Sequence, residues 1–254
     1  MRHYFFKCFF YTLLTILYGS LHAGQKSITI FEGNENPKKK VINVNTSQVY
    51  HTSLHFLLTT IGRQSIFRMI KSLENQVKPQ DFLTIVFDSK DRDSVFEAVK
   101  TKVTELPCKV NVMWEEKNLG YWGHAIRNKH NNLPGDFILH CDDDDIYLPG
   151  SLDTIRAVCQ NKNKLYVFRF RMLGSNVWNE PRIAMSNIGT PCGVIPSAYN
   201  LLSTWEPVVG GDCMFYENLA KAIGDNKLVF VDYLIYFVKN SGHGRANLIN
   251  QLQV

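Results

Sequence analysis

From Leu54 onward one pattern recurs: a short run of apolar, β-favouring residues, a polar cluster at its end, then apolar residues at helical spacing. A chain that keeps placing helices between its strands builds βαβ units. The pattern therefore predicts an α/β fold with a mainly parallel, Rossmann-like sheet flanked by helices on both faces. The first unit is a strand over Leu54–Thr60, a turn at Ile61-Gly-Arg63 and a helix whose Ile66, Ile70 and Leu73 share a face. Strand Phe82–Phe87 ends in Asp88-Ser-Lys-Asp-Arg-Asp93 and precedes a helix from Ser94 to Leu106. Strand Lys109–Trp114 runs into Asn118-Leu-Gly120 and a helix through Arg127, and strand Asp136–Cys141 enters Asp142-Asp-Asp-Asp145 before Pro149-Gly150 opens the next helix. Each polar cluster follows the carboxyl end of a strand, where open α/β sheets hold their ligands.

Beyond Leu165 the alternation loosens into a strand over Leu165–Phe170, a stretch punctuated by Gly, Asn and Pro, a helix over Met214–Ile223 and a strand from Leu228 through Phe237. The 254 residues, 45% of them hydrophobic, suffice for one catalytic domain, read here as residues 54–254. Residues 24–53, rich in Asn, Lys, Gly and Pro, read as a stem or a loosely attached N-terminal hairpin.

Residues 1–23 carry a compartment signal: Arg2 and Lys7 precede a charge-free apolar stretch that ends in small residues at Ala23 and Gly24. Either a cleaved signal peptide or a membrane-embedded signal anchor fits this pattern, and both place the rest of the chain in the ER or Golgi lumen or outside the cell. The sequon Asn45-Thr46-Ser47 agrees with a lumenal fate but is a common triplet. Six cysteines without C-x-x-C spacing argue against structural zinc and leave room for one or two disulfides. The net charge of +5 is scattered apart from Lys38, Lys39 and Lys40, which excludes the basic stripe of a nucleic-acid binder.

Four consecutive aspartates would ordinarily be a solvated acidic loop. Here they lie between apolar Phe137-Ile-Leu139 and Ile146-Tyr-Leu148, at the end of a buried strand, where several carboxylates repel unless a cation neutralises them. Oxygen ligands without His or Cys favour Mg²⁺ or Mn²⁺, and the EF-hand spacing of a calcium loop is absent.

The segment Asp142-x-Asp144-Asp145-x-x-x-Pro149 resembles the DxD motif of family 2 glycosyltransferases, enzymes with the GT-A fold. Other pieces resemble the family in order: Leu57-Leu-Thr-Thr-Ile-Gly-Arg63, Phe87-Asp-Ser-Lys-Asp91, and Asn118-x-Gly120 followed, two residues later than usual, by Arg127-Asn128. The resemblance spans about Leu54 to Phe237. It implies a nucleotide-sugar donor, a UDP-sugar first, and a glycan, protein or lipid acceptor. It places Thr59, Thr60, Arg63, Asp88, Asn118, Arg127, Asp142 and Asp143 around the donor. It assigns Asp142, Asp144 and Asp145 to the metal, with Asp144 the main ligand, and a C-terminal His243 completing the set.

An inverting enzyme needs a base for the acceptor hydroxyl. Gly210-Gly-Asp212, opening an apolar helix, resembles the family's Glu-Asp site, with glycine in place of the preceding acid. Asp212 is the base candidate, or else a helix cap, and Glu206 is the reserve. Trp205-Glu206-Pro207 reads as an aromatic platform with a second carboxylate for a sugar ring. His124 shares a helix face with Arg127 and Asn128 and either meets the donor phosphates or packs against the sheet. Two other classes remain: a metal-dependent hydrolase, and a secreted sugar- or nucleotide-binding module without turnover.

Overall fold

The computed structural model describes residues 24–89, 93–172 and 174–239. The N-terminal signal or anchor and His243, with its polar tail, lie outside these residues. Among the described residues, no helix is long and apolar enough to cross a membrane.

The strands in chain order are β1 (Gln25–Glu32), β2 (Lys38–Asn45), β3 (Leu54–Thr60), β4 (Phe82–Phe87), β5 (Lys109–Trp114), β6 (Phe137–Asp142), β7 (Ile146–Tyr147), β8 (Leu165–Met172), β9 (Ser175–Val177), β10 (Gly193–Pro196) and β11 (Leu228–Val238). The helices are α1 (Ile66–Leu73), α2 (Asp93–Val103), α3 (His124–Lys129), α4 (Ser151–Val158), α5 (Ser197–Asn200) and α6 (Gly211–Ile223). One sheet runs in the order β2-β1-β11-β8-β10-β6-β3-β4-β5, with β7 paired to β11 and β9 to β8.

The half made of β6, β3, β4 and β5 is parallel throughout. Every residue of β3 is buried, as a central parallel strand covered on both faces requires. The two-residue period of the strand separates two cores. Phe56 and Leu58 of β3 with Leu83, Ile85 and Phe87 of β4 join the main core, to which α1 adds Ile66, Met69, Ile70 and Leu73. Leu57 and Val86 face the other way, against Ile126 of α3. Helices thus cover both faces of this half.

The other half is mixed. Strand β8 runs parallel to β11, but β10 is antiparallel to both β6 and β8, and β1 is antiparallel to β11. The segment read as a stem or loosely attached hairpin is a hairpin within the sheet: β1 pairs with β2 over eight positions and with β11 at Ile30, Phe31 and Glu32. Its Ile28, Ile30 and Val44 are buried in the main core, so it is packed rather than loose. Exposed Lys38, Lys39 and Lys40 lie on the outermost strand, where charge discourages pairing with another sheet edge. Among the described residues Cys108, Cys141, Cys159, Cys192 and Cys213 are free thiols, all buried.

Candidate active site

The carboxyl ends of β3, β4 and β6 open on a cavity of about 520 Å³. Its wall includes Thr59, Thr60, Arg63, Asp88, Asn118, Asp142, Asp144, Asp145 and Asp212. These come from separate stretches of sequence and meet because the parallel register sets Thr59 beside Asp142 and Thr60 beside Phe87, one residue before Asp88.

The aspartate run turns from β6 into β7, and β7 is clamped antiparallel on β11. The four carboxylates have different surroundings. Asp143 is 0% exposed and is not on the cavity wall. It accepts a 2.5 Å hydrogen bond from the Thr60 hydroxyl and pairs with Arg63, behind the wall on which the sequence reading placed it. Asp144 pairs with the same Arg63 at 2.9 Å. Asp142 pairs at 2.6 Å with Arg127, which also donates to the carbonyls of Cys141 and Trp122. Arg127 is 0% exposed and behind the wall. It holds Asp142 from behind that wall; the inward register of α3 was not visible in the spacing.

Asp145 differs from the rest. Burial, and then the Asp142 and Asp144 charges, push its carboxyl well above the ordinary range, although Lys239 N–H donates to it at 3.1 Å. Among the described residues no three His, Cys, Asp or Glu side chains are arranged to hold a metal ion as they stand. The donor chemistry nonetheless fits a hard divalent cation: three carboxylates on one wall, one of them destabilised by its neighbours' charge.

Asp88 accepts from the backbone N–H of Leu119 at 2.6 Å and of Gly120 at 3.0 Å, while burial raises its pKa. It thereby anchors the loop that carries Asn118. The chain then runs through positive φ at Gly120, Tyr121, Trp122 and Gly123. At Gly123 a side chain is doubly excluded: φ is +81°, and a Cβ would fall 2.8 Å from Thr59 Cβ. This left-handed run turns Trp122 outward, 52% exposed, at the cavity. Sequence reasoning missed Trp122; the paired glycines at 120 and 123 were the available signal.

On the opposite side Asp212 occupies the first turn of α6, with Gly210 in the cap position, so Asp212 is not the cap. Its carboxylate accepts from the Cys213 N–H at 2.8 Å and lines the cavity. Glu206, read as the reserve base, does not line it: its carboxylate accepts from the Thr204 hydroxyl at 3.3 Å. Trp205 is no open platform either, being 2% exposed and stacked on Phe215 at 4.3 Å. Asn128 fixes it there through both backbone groups, donating to Trp205 C=O at 2.8 Å and accepting from its N–H at 2.7 Å. His124 lines the cavity, bonded through Nδ1 to the Glu206 carbonyl at 2.6 Å.

The family model described as glycosyl transferase family 2 matches residues 59–217. No curated protein matches the sequence. Among solved structures, S. aureus TarS 1-349 in complex with UDP-GlcNAc is similar at 16% identity and TM-score 0.59, over 80% of this chain and 62% of that one. The mannosyltransferase PcManGT from Pyrobaculum calidifontis, in complex with GDP-Man and Mn²⁺, is similar at 12% identity and TM-score 0.59, over 78% of this chain and 59% of that one. GalNAc-T7 with UDP, GalNAc and Mn²⁺ is similar at 12% identity and TM-score 0.51, over 72% of this chain and 44% of that one. This chain therefore spans less than two thirds of the length of each. At such identities the likeness is one of fold.

Proposed function

The chain belongs to glycosyl transferase family 2, and from that membership we propose that it moves a sugar from a nucleoside diphosphate donor, a UDP-sugar first, to an acceptor hydroxyl with Mn²⁺ or Mg²⁺. The observation that carries this reading is the convergence of Thr59, Asp88, Asn118, Asp142, Asp144, Asp145 and Asp212 on one cavity. In this reading Thr59, Thr60, Asp88 and Asn118 border the nucleoside. Asp142, Asp144 and Asp145 hold the cation, which when bound neutralises charge on the leaving diphosphate.

Asp212 is the general base. It takes the proton of the acceptor hydroxyl as that oxygen bonds to the anomeric carbon, while the bond from that carbon to the diphosphate oxygen breaks and its electron pair leaves with the nucleotide. Arg127 keeps Asp142 oriented, and Arg63 holds Asp144 until a cation competes for it. Trp122, open at the cavity, offers a face to a sugar ring. The acceptor is a glycan, a protein or a lipid. The N-terminal signal or anchor, read from sequence, directs the enzyme to the ER or Golgi lumen or out of the cell.

The test is a donor screen with the full chain, measuring release of nucleoside diphosphate from UDP-glucose, UDP-galactose, UDP-GlcNAc, UDP-GalNAc and GDP-mannose with and without Mn²⁺. One donor turned over with Mn²⁺ stimulation is the expected result. No turnover and no nucleotide binding across the panel would overturn the proposal.

A further inference from the structure

His124 is held in an unusual way for a residue on the wall of a ligand cavity. Its Nδ1 lies 2.6 Å from the Glu206 carbonyl oxygen. A carbonyl only accepts, so Nδ1 carries the hydrogen and, in the neutral ring, Nε2 carries the lone pair. The ring is closely packed. A Cβ on Gly211 would lie 2.9 Å from its Cε1, and Trp205 stacks obliquely at a centroid distance of 5.5 Å. His124 is only 5% exposed, yet Nε2 has no hydrogen-bond partner among the described residues and is not one of the fully enclosed unpartnered polar atoms. The residue itself lines the cavity.

The position within the cavity narrows the ligand group. His124 directly follows Gly123, which packs on Thr59 of the nucleoside side, and the fields of both Asp142 and Asp212 reach the ring. A group between the carboxylates proposed for the diphosphate end and the proposed base belongs to the sugar in transit. We propose that His124 is a specificity-determining residue whose Nε2 accepts a hydrogen bond from a hydroxyl of the transferred sugar. This rests on the reading under Proposed function. A site built to pair with a hydroxyl rejects analogues that lack it, because its own polar atom is then left buried without a partner. Burial, and then the nearby Arg127 charge, lower the His124 pKa and keep the lone pair available near neutral pH.

The test compares UDP with the best-bound UDP-sugar of the panel above, by titration calorimetry on the full chain. His124→Phe keeps a ring and removes both nitrogens; His124→Gln keeps an acceptor at similar reach. The Phe variant should lose about 5- to 10-fold in UDP-sugar affinity with UDP affinity unchanged, and the Gln variant should recover most of that loss. Equal losses for UDP and UDP-sugar, or no loss for either, would overturn the assignment. On the unmodified protein, the imidazole ¹⁵N resonances decide independently of whether a variant folds. The Nε2 signal of His124 should move on adding the UDP-sugar and stay in place on adding UDP; a Nε2 signal that responds identically to both removes His124 from sugar recognition. If no nucleotide of the panel binds, the functional reading fails first and takes this one with it.

Discussion

Arg127 Nη2 and Asp142 Oδ1 pair at 2.6 Å across the wall of the cavity, with the guanidinium wholly inside the protein and the carboxylate partly open to solvent. The pair carries a charge from the core to the surface of the site. Replacing Arg127 with Met leaves Asp142 without its partner and the carbonyls of Trp122 and Cys141 without a donor. The expected cost is about 1–3 kcal/mol of stability, the scale of leaving buried carbonyls without their donor, since the Asp142 carboxylate itself stays partly solvated. Urea unfolding measures it; a loss under about 1 kcal/mol would show that the pair is not structural.

Gly123→Ala sets a side chain against Thr59 in a backbone region that L-residues avoid. It should lose about 1–3 kcal/mol of stability and weaken donor binding, because Thr59 must move. Thermal unfolding and a donor KM determined together check both effects.

Asp144→Ala should remove Mn²⁺-stimulated turnover and leave the fold intact, since Arg63 retains Asp143. The expected loss is on the order of 10²-fold or more, beyond what loss of a mere supporting contact to a ligand costs. Near-normal Mn²⁺ stimulation in this variant would remove Asp144 from the metal assignment.

Asp212→Asn should keep nucleotide affinity and thermal stability while transfer falls roughly 10²–10⁴-fold, the scale of a lost general base. Because Gly210 and not Asp212 occupies the cap position, a stability change would not be confused with lost capping. Unchanged transfer would take Asp212 out of the mechanism.

Glu115 accepts hydrogen bonds from Lys129 at 2.5 Å and His130 at 2.7 Å. Burial alone would raise its pKa, but these two partners outweigh it and the carboxyl lies below its ordinary value of 4.5. The sign follows: the stabilisation is present above the unfolded value and is lost as the pH falls through the folded one. Glu115→Gln should therefore be less stable than the parent at pH 7, by no more than about 1 kcal/mol because Lys129 is solvated, and the two should converge in acid. Urea midpoints at pH 7 and pH 3 test the convergence.

Much of the parallel half was legible because an interior strand must be apolar along its length. The runs at Leu54–Thr60 and Phe82–Phe87 are strands with those same ends, and the edge strand Lys109–Trp114 was legible instead from its alternation. The aspartate cluster was legible for the related reason that charge next to so much apolar sequence needs a structural cause. That the N-terminal hairpin packs into the sheet was obscured because its outer strand is mostly exposed and rich in Lys and Asn. Trp205 misled because its burial depends on Phe215, ten residues on, and on Asn128, far back in the chain. Conversely Trp122 looked like any loop aromatic, since only the succession of positive φ angles turns it to the cavity.

Strand β10 has four residues, and only Ile195 opposite Ile138 and Pro196 opposite Phe137 tie it to β6. Tyr216 of α6 donates to the Thr190 carbonyl just before this strand and accepts from the Gly193 N–H within it. The helix bearing Asp212 is thus fastened to the antiparallel insert by two hydrogen bonds, and meets the strand that bears Asp142 through the edge contact of Phe215 with His140. The insert works as a gauge block: its register against β6 sets the span between the proposed base and the carboxylate wall. A slip of one residue would shift that span by about 3.3 Å, whereas misplacement by about 1 Å already costs on the order of 10²-fold in rate. Alignment of the reacting groups is accordingly a matter of how two short apolar side chains, Ile138 and Ile195, stay in step.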